Sequence, residues 1–330
     1  MTDQSNPPKA SKGKSLLERA GGQINFRDFM PPPMPAGLRE AKTRVPPPRN
    51  AVPPVARTTT EPLKAPSAPE APSAPEAIPA VRFSGAPHPV DWAGLRERGF
   101  IVPGGPVTAI MEEFRIVKRK LLQGARESLA GRAAPHGQHV LICSPHSGEG
   151  KTFCAINLAI AMAVERDTQV VLVDADFAKP DISRLLGLPE RPGLMDVLAN
   201  SATMVEDYVL STDIDGLFVL PAGDRTGSDS EYLASQRTAG VLARLTQGAP
   251  SRMVIFDSPP ALAASPAAEL AKHVGQIVMV ARADFTGKSA LEDAVSLLSS
   301  GADIQLLLNS ARFSPSGRRF GSYYGEGEGA

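Results

Sequence analysis

Short apolar runs alternate with amphipathic stretches over the last two thirds of this 330-residue chain. Runs such as HVLICS and VVLVDA are apolar without a break, which is typical of strands that are buried on both faces. Between the runs, apolar residues recur three and four positions apart, which predicts helices. The pattern predicts six strands, at residues 139–144, 170–175, 216–221, 252–258, 276–281 and 304–309, and helices at about 151–166, 181–199, 231–246, 265–273 and 286–300.

A further amphipathic helix is predicted before the first strand, in the stretch MEEFRIVKRKLL that begins at Met111. Strands that alternate with helices favour a parallel sheet with right-handed crossovers. We therefore predict an α/β fold: a three-layer domain with a mostly parallel sheet over residues 106–312.

The first third of the chain has a different composition. Of the 32 prolines, 19 lie between Pro7 and Pro89, and proline removes a backbone donor and restricts the chain. We predict that residues 1–105 form a disordered, proline-rich arm. Residues 15–20 have the pattern of a short helix, either as a frayed terminus or as a docking peptide. Residues 313–330 are predicted to be a flexible glycine-rich tail.

Charge and cysteine content exclude several classes. Lysine plus arginine and aspartate plus glutamate balance at 35 each, so net charge gives no reason to expect a nucleic-acid partner. Two cysteines, Cys143 and Cys154, are too few for a disulfide framework, and we expect both to be buried packing residues. No apolar run approaches the ~18 residues of a bilayer span, and no signal peptide is evident. We expect a soluble, cytoplasmic protein.

The segment SPHSGEGKT lies between the first predicted strand and its helix. It is close to the phosphate-loop pattern G-x-x-x-x-G-K-[ST], with Pro145 in place of the first glycine. Glycines let the backbone curl so that successive amides point at phosphates. The predicted nucleotide-binding residues of this loop are Ser147, Gly148, Glu149, Gly150, Lys151, Thr152 and Phe153.

Three aspartates follow apolar strands. Asp174 and Asp176 end the run VVLVDAD, and Asp257 ends the run VIFD. The carboxyl ends of parallel strands are where open α/β sheets bind ligands. Because an acidic residue directly after an apolar strand is costly without a cation, these carboxylates and the phosphate loop predict a site for Mg²⁺ and ATP.

In this order, the motifs SPxxGEGKT, D-x-D and D-x-P-P resemble the bacterial tyrosine kinases of polysaccharide export, the BY-kinases. The resemblance covers roughly residue 106 to the C-terminus. Glu112, Arg115 and Lys118 look like the E-x-x-R-x-x-R helix through which members form rings, with Arg119 next to the last position. The segment VARADFTGKS looks like the family's strand-to-helix segment after the D-x-P-P strand.

The resemblance implies a P-loop NTPase domain that transfers the γ-phosphoryl group of ATP to tyrosine. The phosphates would be bound by Lys151 and the loop amides, and the adenine would be recognised by Asn309. Thr152, Asp176 and Asp257 would organise Mg²⁺, and Asp174 would orient or deprotonate the attacking tyrosine. The substrates would be Tyr323 and Tyr324 in the tail, two of the chain's four tyrosines, phosphorylated in trans within an oligomer.

The resemblance also implies partners. Besides itself in a ring, these are a separate inner-membrane polysaccharide co-polymerase or chain-length determinant, as activator, and a tyrosine phosphatase. The activator would recruit the kinase to the inner face of the cytoplasmic membrane. This stand-alone arrangement resembles the autokinase associated with exosortase (PEP-CTERM) loci.

Two other functions stay open. A positioning ATPase of the ParA/MinD type has the same fold, but His146 stands where its signature lysine is expected, and the paired tail tyrosines also count against it. The second is an ATP-binding scaffold with weak kinase activity. It is kept open by Ala178, which replaces the arginine that the family has after its D-x-D motif.

Overall fold

The computed structural model describes residues 79–105 and 107–311. The predicted helix near residues 15–20, the first 78 residues of the predicted arm, and Tyr323 and Tyr324 lie outside the described residues.

The strands are β1 (His139–Cys143), β2 (Gln169–Asp174), β3 (Leu210–Ser211), β4 (Leu217–Leu220), β5 (Arg252–Asp257), β6 (Gln276–Arg282) and β7 (Asp303–Asn309). They form one sheet in the order β3-β4-β2-β5-β1-β6-β7. Every neighbouring pair is parallel except β3 and β4. The predicted mostly parallel sheet is confirmed, and only the two-residue β3 was missed.

The helices are α1 (Trp92–Glu97), α2 (Ala109–Leu129), α3 (Lys151–Ala163), α4 (Ile182–Leu186), α5 (Leu194–Ala199), α6 (Asp229–Leu233), α7 (Gln236–Thr246), α8 (Pro266–Ala271) and α9 (Lys288–Leu298), with a 3₁₀ turn at Val205–Tyr208. The helix predicted over 181–199 is two helices, because Gly187 ends α4 in the left-handed conformation, at φ 72°. Among the described helices, none combines the length and the apolar character that crossing a bilayer requires.

The sheet is covered on both faces, as the unbroken apolar runs predicted. Along β1, Val140 and Ile142 pack into one apolar cluster with α2 and α3, whereas Leu141 and Cys143 pack into a second cluster with α7, α8 and α9. Cys143 and Cys154 are both buried. Burial raises the pKa of Cys154 to about 12, in keeping with its predicted packing role.

The end of the proline-rich arm differs from the prediction, because residues 79–105 pack on the domain. Phe100 and Ile101 belong to the core. The amide of Ile101 donates to Oδ1 of the fully buried Asn157 on α3, at 2.7 Å. The Phe100 ring lies 4.9 Å from the ring of Phe153. Proline content alone does not distinguish residues 79–105 from the arm before them. Prolines restrict the backbone of an extended segment, but they do not prevent its apolar side chains from being buried.

Candidate functional site

The phosphate loop joins β1 to α3. Gly148 and Gly150 have φ angles of 78° and 96°, in the left-handed region that favours glycine. Gly150 is also the N-cap of α3. A Cβ at Gly150 would lie 2.1 Å from Nδ2 of Asn309. Both the left-handed backbone conformation and the lack of space therefore disfavour any residue with a side chain at this position.

The loop presents unused backbone donors. In residues 79–105 and 107–311, the amides of residues 147–152 donate to no protein group, whereas the amide of His146 donates to Oε2 of Glu149 at 2.8 Å. These amides precede or open a helix of 13 residues, whose N-terminus carries partial positive charge. Lys151 starts this helix and is only 7% exposed. Backbone donors, a helix N-terminus and a lysine together can bind phosphate groups.

Two of the predicted aspartates stand side by side at the carboxyl edge of the sheet. Asp174 ends β2 and Asp257 ends β5, and the two are paired in register. Each is 1% exposed. Burial raises the pKa of Asp257 to about 8, with the nearby Thr152 hydroxyl opposing the shift and Asp174 adding to it. Burial also raises the pKa of Asp174 to about 7. Burial therefore disfavours the charged forms of both carboxyl groups, although the positive charge of Lys151 partly offsets this at Asp257.

Asp257 has an oxygen without a hydrogen bond. Its Oδ1 is one of two buried side-chain atoms in the described part of the chain that lack a partner. The other is Oε1 of Gln276, whose amide nitrogen donates to the carbonyls of Leu121 and Gly137. An unpaired carboxylate oxygen in a buried site is costly unless a ligand completes it.

Asp174 is held by backbone donors. Its Oδ2 accepts hydrogen bonds from the amides of Asp181 and Ile182, each at 3.0 Å, and its Oδ1 accepts one from the amide of Asp176 at 3.3 Å. These contacts fix the side chain and the entry into α4. Because a carboxylate has about four acceptor positions, one on Oδ1 stays free.

Asp176 lies further towards solvent than the other two. It is half-buried, and its Oδ1 accepts a hydrogen bond from the amide of Lys179 at 3.1 Å. Burial raises its pKa, although the positive charge of Lys151 opposes the shift. Ala178 and Lys179 are both exposed next to it.

The donor set fits a magnesium ion shared with a nucleotide better than an ion held by protein alone. Across residues 79–105 and 107–311, no group of three or more His, Cys, Asp or Glu side chains is arranged to hold a metal. Mg²⁺ is usually held by one or two carboxylates together with phosphate oxygens and water. The unpaired oxygen of Asp257, next to the Thr152 hydroxyl, is such a partial site.

Three of the predicted residues make contacts that their predicted roles do not include. Asn309 donates from Nδ2 to the carbonyl of Glu149 at 2.8 Å, and its Oδ1 accepts from the amide of Ser310 at 2.8 Å. Each end of its amide group therefore has one partner inside the protein. Phe153 packs its ring against that of Phe100.

Lys118 is the third predicted residue with contacts beyond its predicted role. It is 5% exposed, its Nζ donates to the carbonyl of Ala161 at 2.9 Å, and it forms an ion pair with Glu165 at 2.6 Å. These contacts hold α2 on α3 within the subunit, so Lys118 does not lie on a surface that could meet a neighbour. Arg119 is exposed beside it. Glu112 and Arg115 pair with each other one turn earlier.

The phosphate loop also makes a contact that no sequence motif predicts. Glu149 is fully buried, and its Oε1 accepts a hydrogen bond from the Thr286 hydroxyl in the segment after β6. The two residues are 137 positions apart, so no local pattern could pair them. The resemblance marked the segment around Thr286 but not what it touches.

Several known proteins are similar to parts of this chain. A family model described as ParA, NUBPL iron-transfer P-loop NTPase, matches residues 136–211. CapB of Staphylococcus aureus is 26% identical over 223 residues, which cover 67% of this chain and 92% of CapB. The tyrosine-protein kinase YwqD of Bacillus subtilis is 33% identical over 159 residues, which cover 48% of this chain and 65% of YwqD. The chain is therefore similar to proteins named as bacterial tyrosine kinases.

A solved structure agrees with this relationship. The crystal structure of the chimeric protein CapA2B2 superposes with a TM-score of 0.54 and 26% identity, covering 70% of this chain and 93% of that one. Other kinase relatives are much longer, since the chain spans 24% of EpsB from Ralstonia nicotianae. The resemblance to bacterial tyrosine kinases inferred from the motifs is confirmed.

Proposed function

We propose that this protein is an ATP-dependent protein-tyrosine autokinase. It would phosphorylate Tyr323 and Tyr324 on a neighbouring copy and thereby regulate exopolysaccharide or capsule synthesis and export. The observation that carries the proposal is the buried oxygen of Asp257, at the end of the strand next to Asp174. Within the described part of the chain it has no partner, and the amides of the phosphate loop beside it have no acceptor. The kinase relatives support the same reaction.

Each part of the site has a task in phosphoryl transfer. The loop amides and Lys151 would bind the phosphates of ATP and neutralise their charge. Thr152, Asp257 and Asp176 would hold Mg²⁺, which supplies further charge stabilisation to the transferred group when it is bound. The low exposure of Lys151 and Asp257 would keep water away from the reacting atoms.

Asp174 would orient or deprotonate the attacking tyrosine. Its pKa of about 7 is suited to a general base, because proton transfer is most effective when the pKa of the base is near the working pH. Three backbone amides hold its two oxygens. The free acceptor position on Oδ1 is where a tyrosine hydroxyl would bind.

The tail of one subunit would reach the active site of a neighbouring subunit within a ring. Arg119 and the Glu112–Arg115 pair on α2 are the groups we propose for the contact between subunits, without Lys118. A separate inner-membrane polysaccharide co-polymerase would activate the kinase and recruit it to the inner face of the cytoplasmic membrane. A tyrosine phosphatase would reverse the reaction. No nucleic-acid partner is proposed.

A positioning ATPase is the second candidate. It is favoured by the ParA description of the family model that matches residues 136–211. On that proposal, the site would hydrolyse ATP without any phosphotyrosine being formed, and the nucleotide state would control dimerisation.

Phosphotyrosine formation separates the two. The full chain is incubated with Mg²⁺ and ATP, with and without a cytoplasmic fragment of the co-polymerase, and is probed with a phosphotyrosine antibody. The wild type is expected to give a signal that Lys151→Met abolishes and that Tyr323→Phe/Tyr324→Phe removes. ATP hydrolysis without phosphotyrosine in either condition would contradict the kinase and support the ATPase. A signal that persists in the double variant would contradict the tail assignment only.

A further inference from the structure

The phosphate loop contains a fully buried carboxylate that the proposed reaction does not use. Glu149 accepts hydrogen bonds from the Thr286 hydroxyl on Oε1 and from the His146 amide on Oε2. The Thr286 oxygen in turn accepts from the amide of Arg282 at 2.8 Å. A carboxylate is costly to bury and is tolerated only with such partners. Its presence inside a functional loop therefore needs a reason beyond packing.

A second hydrogen bond is made to the backbone of Glu149. Asn309, at the end of β7, donates to the backbone carbonyl of Glu149, and its Nδ2 lies against Gly150. Glu149 is thus held by its side chain to the segment after β6 and by its backbone to the end of β7. Since β6 and β7 are paired along their whole length, both anchors belong to one rigid edge of the sheet.

The loop itself gives a reason for such anchors. Its amides of residues 147–152 have no protein acceptor in the described ranges, and neighbouring N–H dipoles repel one another where no acceptor offsets them. Without external contacts the loop would relax, and ordering it again would cost binding free energy when phosphates bind.

We propose that Glu149, Thr286 and Asn309 form a loop clamp that holds the phosphate loop in its phosphate-binding conformation. The three are positioning residues: Thr286 and Asn309 act through Glu149 and touch no substrate. Asn309 therefore serves the loop and not the adenine base. This inference rests on the proposed nucleotide site.

Nucleotide affinity tests the clamp. Dissociation constants of the full chain for ATP, ADP and GTP are measured by calorimetry with wild type, Thr286→Val, Thr286→Ser and Asn309→Leu. Loss of one hydrogen bond is expected to weaken the affinity for all three nucleotides by about tenfold. Thr286→Ser, which retains the hydroxyl, is expected to restore it. Thr203→Val is the matched control, because that hydroxyl donates only to the carbonyl of Asn200.

The ratio of ATP to GTP affinity separates the clamp from base recognition. A clamp acts on phosphates that the two nucleotides share, so Asn309→Leu is expected to leave the ratio unchanged. A collapse of the ratio would instead assign Asn309 to the base and overturn its place in the clamp.

The reaction rate gives a further readout. At saturating ATP, phosphotyrosine formation by Thr286→Val is expected to stay within about twofold of the wild type, because a loop-ordering contact affects binding more than the chemical step. Wild-type affinity in Thr286→Val would overturn the clamp while the proposed function stands. No nucleotide binding by the wild type would overturn both. Thermal melting of each variant separates a misfolded chain from a weakened site.

Discussion

The two ends of β5 each carry a buried ionisable side chain, but the two side chains differ in how completely they are hydrogen-bonded. Arg252 begins the strand and is 3% exposed, and Asp257 ends it and is 1% exposed. Arg252 donates to the carbonyls of Val81 and Leu245 and twice to Oε1 of Gln169, at 2.8–3.0 Å. Asp257 keeps one oxygen with no partner.

The difference distinguishes a structural charge from a functional one. At the amino end, residues 79–83 close over the guanidinium, with Phe83 stacked on it at 4.3 Å. At the carboxyl end, the burial of the carboxylate is compensated only in part, and its pKa is raised to about 8. A completed set of hydrogen bonds stabilises the fold, whereas an incomplete set leaves a position for a ligand.

Removing Arg252 is expected to have the largest effect. Arg252→Met leaves the oxygens of Val81, Leu245 and Gln169 without their donor, so we expect the free energy of unfolding to fall by about 2–4 kcal/mol. Urea denaturation followed by circular dichroism measures it. Arg225→Met is the matched control, since its side chain is 68% exposed, and its effect is expected within about 0.5 kcal/mol. Equal effects of the two variants would show that the amino end is not held by this charge.

The opposite sign is expected at the other end of the strand. Asp257→Asn removes a carboxylate whose charged form is disfavoured by burial, so the nucleotide-free protein is expected to gain about 1–2 kcal/mol at pH 8. The same variant is expected to lose Mg²⁺-dependent ATP binding. Melting temperatures with and without Mg²⁺ and ATP show both changes, with the exposed Asp293→Asn as control. A destabilised Asp257→Asn protein would mean that the carboxylate is structural.

The pH dependence of stability sharpens the comparison. The pKa values of Asp174 and Asp257 are raised to about 7 and 8 from 3.8, so the folded state binds more protons than the unfolded state and stability falls as pH rises. Burial lowers the pKa of His139 from 6.5 to about 4, which has the opposite effect, but only below pH 6.5. Between pH 6.5 and 8 the nucleotide-free protein is therefore expected to lose about 1–2 kcal/mol.

Urea midpoints across this pH window measure the loss. Asp257→Asn is expected to remove most of the slope, and Asp293→Asn is expected to retain it. A stability that is flat or rising from pH 6.5 to 8 in the wild type would contradict the raised pKa values.

The smallest effect on stability is expected for two adjacent cations on α2. Lys118→Met loses the contacts with Ala161 and Glu165 and is expected to cost about 1 kcal/mol. Arg119→Met is exposed and is expected to stay within about 0.5 kcal/mol, while reducing the oligomer size in light scattering. A smaller oligomer for Lys118→Met with wild-type stability would restore the predicted role of Lys118 between subunits.

Much of the carboxyl edge could be predicted from short motifs. The phosphate loop and the strand-end aspartates have local signatures, because glycines, a lysine and carboxylates must stand at set distances from a strand end. The amino edge could not be predicted in this way. Val81 and Phe83, which contact the guanidinium of Arg252 there, lie in a proline-rich region that resembles the arm before it. Arg252 itself is far from them in sequence.

The sequence by itself determined the alternation of strands and helices, the parallel sheet, the phosphate loop and the aspartates at strand ends. These follow from periodicity and from residue types within a few positions of one another. Only the tertiary structure decided that Lys118 points inward, that Asn309 and Thr286 meet at Glu149, and that Arg252 is paired where Asp257 is not. Such contacts join residues that are distant along the chain, and they depend on which groups the fold brings together once water has been excluded.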